Sequence, residues 1–177
     1  MKRLFLVAVL LPLVIANTSF LSSPGGIKWI TWEQMQQLQK VQPRKVIIDV
    51  YTDWCGWCKR MDATTFSHPE IIRFINENYY AIKFDAESRE KIRFKGKEYG
   101  FVSSGYRGYH QLAAEILGGQ MSYPTTVYLD EKQDVIFPVP GYLNASQMES
   151  VLHYIHSNSY KTMGFEQFRI GFRGKVQ

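Results

Sequence analysis

Three features of the chain predict an α/β fold. Val46-Ile47-Ile48-Asp49-Val50-Tyr51 is β-branched and almost continuously apolar, the pattern of a central strand buried on both faces. Met148, Val151, Leu152 and Ile155 recur at i, i+3, i+4 and i+7, the stripe of a helix laid on a core. Between these two, strand-like and helix-like stretches alternate, which is how a sheet acquires helices on its faces.

The elements follow in order. Ser22-Ser23-Pro24-Gly25-Gly26 reads as a flexible lead-in within 17–28. Thr31 and Gln34 have capping-box spacing, and Trp32, Met35 and Leu38 then fit a short amphipathic helix ended by Pro43. After the 46–51 strand, Lys59 to Ala63 can continue as a helix. Ser67 and Glu70 repeat the capping spacing before the apolar face of Ile71, Phe74 and Ile75. Tyr80 to Phe84 is a second strand ending at Asp85. Ile92 to Tyr99 reads as a hairpin turning at Lys95-Gly96. Tyr109 to Leu117 is helical in character and stops at Gly118-Gly119. Thr125 to Leu129 and Val135 to Val139 are strands joined by a polar turn, and Asn144 with Gln147 opens the last helix. The 158–177 tail carries Tyr160, Phe165, Phe168 and Phe172, which are expected to pack it back onto the domain, the alternative being a partner-binding segment.

The 177 residues suffice for one domain with a real core. Lys2 and Arg3 precede an apolar run, Leu4 to Ile15, too short for a comfortable membrane span. Val14-Ile15-Ala16 then offers a cleavage site, so residues 1–16 read as a secretory signal peptide, the alternative being an uncleaved anchor. Its removal leaves 19 Lys and Arg against 16 acids, a net charge of +3. That is too mild and too scattered for nucleic-acid binding.

Cysteine usage is the sharpest compositional clue. The chain has two, Cys55 and Cys58, two residues apart. A bridge closing so small a loop does little to restrain the unfolded chain, so chemistry explains the pair better than stapling. Zinc would need two further ligands, and of the four histidines only His153 and His156 are close neighbours, which argues against a metal. A strand that delivers Cys55 to the start of a helix suits disulfide exchange. Free N–H groups at a helix N-terminus stabilise the attacking thiolate. Cys58, one turn inside, can then attack the mixed disulfide formed at Cys55. Cys55 is thus the expected exposed nucleophile and Cys58 the resolving thiol.

The stretch Val46 to Lys59, with Asp49 six residues before Cys55 and Trp54 directly preceding it, resembles the active-site strand and helix of the thioredoxin superfamily. Ser122-Tyr123-Pro124-Thr125 resembles that family's cis-proline loop, and Gly141 falls where the family has a glycine. The resemblance spans roughly residues 29–157. Within the superfamily, Asp53-Trp54-Cys55 and Thr65-Phe66-Ser67 look most like exported members, which include the thioredoxin-like end domain of the transmembrane reductant conductor and bacterial periplasmic thioredoxin-related proteins.

The resemblance implies a thioredoxin fold: a central mixed β-sheet flanked by helices, here with an insert at 87–110 before the cis-proline strand and a short C-terminal extension. It implies that Asp49 is a buried carboxylate with a raised pKa that exchanges a proton with Cys58. Aligning Asp85 with the family's strand-end aspartate puts Ala81 at the position of the family's buried lysine, so that partner is expected to be missing. Pro124 is expected to follow a cis bond, with the Tyr123 backbone available to an extended substrate. Trp54, Gly56 and Trp57 complete the implied substrate-binding surface. His68 is expected to be surface polar without a role.

Fold does not decide the direction of electron flow. Gly56-Trp57 places no positive charge between the cysteines, which favours a reductant. The leading expectation is therefore a monomeric periplasmic disulfide reductase acting on disulfide-containing protein substrates. It would need no cofactor beyond its own redox-active pair and would be kept reduced by a membrane-embedded electron donor. An oxidase or isomerase, or a non-redox peptide-binding module, are the alternatives. Secretion and membrane anchoring remain lesser alternatives to the periplasm.

Overall fold

In the computed structural model, residues 25–176 are described; the signal peptide expected at 1–16 and most of the lead-in lie outside them. The central sheet has four strands: β1 (Lys45–Tyr51), β2 (Tyr79–Asp85), β7 (Thr125–Leu129) and β8 (Val135–Pro140). Their spatial order is β2-β1-β7-β8. β1 and β2 are parallel, whereas β1–β7 and β7–β8 are antiparallel, so the sheet is mixed. This is the thioredoxin fold.

Strand alternation sorts the core into two faces. Val46, Ile48 and Val50 of β1 point to one side, where α1 (Trp32–Val41) and α4 (Gln111–Ile116) cover them with Trp32, Met35, Leu112 and Ile116. Ile47 points to the other, toward α2 (Gly56–Thr64), α3 (Pro69–Asn78) and α5 (Ala145–His156). Asp49 shares that second parity. The only carboxylate of β1 therefore faces the helix that begins at the cysteine pair.

The capping boxes Thr31/Gln34 and Asn144/Gln147 open α1 and α5 as the spacing predicts. Two local readings change. Leu38 of α1 is exposed, and Gln39 turns inward because its side-chain amide bridges the backbone N–H and carbonyl of Arg44. The N-cap of α3 is His68, whose Nδ1 accepts from the Glu70 N–H, while Ser67 instead donates back to the Ala63 carbonyl. His68 thus has a structural task.

The insert between β2 and α4 holds two hairpins. The expected one pairs β3 (Ile92–Phe94) with β4 (Lys97–Tyr99), turning at Lys95-Gly96 where both residues have positive φ. A second pairs β5 (Phe101–Ser104) with β6 (Arg107–His110), and α4 starts only after it. At the C-terminal end, α6 (Phe165–Gly171) lies on α5, with Tyr160, Phe165 and Phe168 gathered around Tyr154. The buried Glu149 carboxylate accepts from the backbone N–H groups of Lys175 and Val176 and holds the tail down.

Candidate active site

β1 ends at Tyr51, the chain turns, and α2 begins at Gly56 with Cys55 as its N-cap. Cys55 and Cys58 are joined in a disulfide. Cys55 Sγ accepts the Cys58 N–H at 3.1 Å, the contact that in the reduced form would stabilise a Cys55 thiolate. Cys55 is only 5% exposed and Cys58 3%. The sequence led us to expect an open nucleophile. In the oxidised state the Cys55 side chain is instead turned in toward the first turn of α2, bonded to Cys58 and taking its N–H. The accessible apolar surface belongs to the flanking Trp54 and Trp57, 52% and 59% exposed.

Beneath the pair, Asp49 is almost fully buried, and its pKa is pushed up to about 6. Burial is the main cause, partly offset by the Lys83 ammonium. Lys83 Nζ lies 3.0 Å from Asp49 Oδ2 and also binds Asp62 Oδ1. Asp62 lies one helical turn beyond Cys58, on the same face of α2. Lys83 therefore ties Asp49 to the cysteine-bearing side of that helix. Burial draws the Lys83 pKa down, but its two carboxylate partners more than offset this and leave it above the ordinary value. Asp49 Oδ1 has no hydrogen-bond partner among the described residues and is the oxygen available to a proton.

A lysine partner for Asp49 is thus present, contrary to the sequence alignment. In the parallel register of β1 and β2, Lys83 stands opposite Asp49, and Ala81 opposite Ile47. Counting back from Asp85 placed the cation one pleat too early; the register of the two strands sets it.

Around the pair, the Tyr123–Pro124 peptide bond is cis. The Tyr123 ring meets Trp54 edge-on, with centroids 5.9 Å apart. Trp54 Nε1 donates to Glu87 at 3.1 Å, and the Arg107 guanidinium lies 4.3 Å over its ring. Trp57 packs at 5.4 Å on Tyr142, with Arg60 5.7 Å over its ring. Gly56 stands open between the two, with nothing near where a side chain would project. The structure brings Cys55, Cys58, Trp54, Tyr123 and Pro124 to one end of the sheet, with Asp49 below. Lys83, Asp62, Glu87 and Arg107 join them, and no local sequence signal marked those four. For Lys83 the strand pairing could have done so.

A family model described as a thioredoxin-like domain matches residues 32–156. An uncharacterised protein of Caenorhabditis elegans is 29% identical over 84 residues, which is 47% of this chain and 12% of that protein. The chain thus spans a small part of that relative's length. A thioredoxin-fold protein from Helicobacter pylori superposes with a TM-score of 0.55 at 19% identity, over 72% of this chain and 81% of that one. A structure described as DsbH oxidoreductase also gives 0.55, at 12% identity, over 76% and 88% of the two chains. At such identities the likeness is one of fold.

Proposed function

The chain belongs to the family of thioredoxin-like domains, and we propose that it is an exported thiol–disulfide oxidoreductase that reduces protein disulfides through Cys55 and Cys58. The observation that carries this reading is the position of the disulfide, capping α2 above a buried carboxylate whose pKa is near neutrality. The DsbH neighbour, described as an oxidoreductase, is in keeping with it.

In the reducing direction, the Cys55 thiolate attacks one sulfur of a substrate disulfide. The substrate S–S bond breaks, and the departing sulfur leaves as a thiolate that takes a proton from solvent. Cys58 then gives its proton to Asp49, which is mostly ionised above pH 6 and so able to accept it. The Cys58 thiolate attacks Cys55 Sγ, expels the second substrate sulfur as a thiolate that takes a proton from solvent, and closes the Cys55–Cys58 disulfide, after which Asp49 returns its proton to solvent. Two electrons have passed to the substrate, and a membrane-embedded donor returns them. The apolar Trp54–Trp57 rim and the Tyr123 backbone receive the polypeptide around the substrate bond.

The reducing direction is favoured by the residues between the cysteines. Gly56 and Trp57 add no charge, so the Cys55 thiolate relies on the helix N-terminus. A weakly stabilised thiolate makes a stronger reductant. Export to the periplasm is supported by Lys2-Arg3 and the apolar run after them.

The reading is tested by equilibrating the protein in graded thiol–disulfide buffers and following tryptophan fluorescence. A potential near that of thioredoxin, about −270 mV, supports a reductase, and one near about −120 mV reassigns the protein as an oxidant. Absence of any reversible two-electron transition removes the redox reading and leaves a peptide-binding module.

A further inference from the structure

The two hairpins of the insert differ in what they are for. Ile92, Phe94 and Tyr99 of β3–β4 are buried in the core under α1 and α4. Of the β5–β6 strand residues only His110 is buried, yet the hairpin is firmly seated. His110 Nδ1 accepts the Leu112 N–H and its Nε2 lies 2.9 Å from the Glu90 carbonyl. Phe101 crosses Gly108 so closely that a Cβ there would lie 2.2 Å from the ring. Arg89 covers the same ring at 4.5 Å. A hairpin fixed at its root but contributing little to the core is placed for what its tip meets.

The tip meets the active site. Arg107 lies over the Trp54 ring, and its Nη1 is 3.8 Å from the Glu87 carboxylate that also accepts from Trp54 Nε1. Three groups from three segments therefore hold Trp54: Arg107 on its face, Glu87 at its nitrogen and Tyr123 at its edge. Tyr106, beside Arg107, is fully exposed. Among the described residues, the large aromatics exposed to solvent are Trp54, Trp57 and Tyr106. Two flank the disulfide, and the third adjoins the cation stacked on one of them. Exposed aromatics on a firm support are the usual anchors of polypeptide recognition.

We infer that the β5–β6 hairpin is a substrate-selecting arm that makes the site prefer disulfides embedded in extended polypeptide over small disulfides. Arg107 is a positioning residue that acts through Trp54. Tyr106, fully exposed at the tip beside Arg107, is offered to apolar side chains flanking the attacked cysteine. The exposed groups the arm presents beside the disulfide are aromatic, so it selects for apolar and aromatic flanks. The inference rests on the disulfide-exchange reading above.

The test compares reduction of insulin with reduction of 2-hydroxyethyl disulfide, using the full chain and its Tyr106→Ser, Arg107→Ala and Arg107→Lys variants. For Tyr106→Ser and Arg107→Ala, the ratio of kcat/KM for insulin to that for the small disulfide should fall about three- to fivefold, through KM. Arg107→Lys, which keeps the cation, should recover part of the loss. Equal loss on both substrates, or no change on either, overturns the arm's role. If the unsubstituted chain reduces neither substrate, the redox reading itself fails and the arm's role falls with it. That outcome is visible before any variant is made.

Discussion

Below the cysteine pair a chain of charges runs outward from the buried Asp49 through Lys83 to the part-exposed Asp62; around it stands a rim of half-exposed aromatics, Trp54 and Trp57. The floor comes from regular elements, two paired strands and one helix, and its distances follow from register and helical rise. The rim comes from the loop before α2, the first turn of α2 and the insert. Charge inside a low-dielectric floor acts strongly over short distances, whereas contacts in a solvated rim are individually weak. Chemistry should therefore belong to the floor and selection to the rim.

The largest effects come from the sulfurs that both regions serve. Cys55→Ser should lose all turnover, while Cys58→Ser should accumulate a covalent adduct with substrate, read as a mass increase that thiols reverse. Next is the floor. Asp49→Asn removes the proton acceptor for Cys58, and at pH 7 the rate of disulfide reduction should fall about a hundredfold.

The same variant has a stability signature with a defined sign. The folded state keeps the Asp49 proton up to about pH 6, while the unfolded chain releases it near 3.8. Folding therefore binds a proton within this window, and stability should fall as pH rises through it, by about 3 kcal/mol. In Asp49→Asn that fall should vanish from urea melts taken across the window. Lys83→Met is milder: without the ammonium that holds it down, Asp49 should titrate above its present value of about 6. The inflection of the pH–rate profile should move upward with it. Smallest is the rim. Trp57→Ala should raise KM for a protein disulfide about two- to threefold, leaving the pH profile where it was. A pH shift in Trp57→Ala, or a pure KM effect in Lys83→Met, would break the division between floor and rim.

The sequence made the floor half legible. The strand around Asp49 and the cysteine spacing are written in consecutive residues, as are the capping boxes of α1 and α5 and the Lys95-Gly96 turn. Lys83 was not legible by counting back from Asp85, because its partner is set by pairing with a strand 34 residues away. The rim was legible only where it adjoins the cysteines. Arg107 lies 53 positions beyond Trp54, and nothing local to Arg107 announces the contact. The β5–β6 hairpin had one faint signal, the Ser104-Gly105 pair, a dipeptide common in turns. Tyr109 and His110, which looked like the start of a helix, proved to be its second strand. His68 was passed over because Ser67 had the usual capping spacing, and an imidazole in that position is unusual.

The contrast between the two hairpins bears on how such a protein can change. Altering β3–β4 opens the core beneath Phe94 and Tyr99 and would be felt throughout the fold. Residues 103–107 are exposed, and lengthening a surface loop costs only about 0.6 kcal/mol per doubling. One insertion thus contains both a fixed prop and a replaceable tip. Clients could be exchanged by rewriting a handful of residues, with the sulfur chemistry handed on intact.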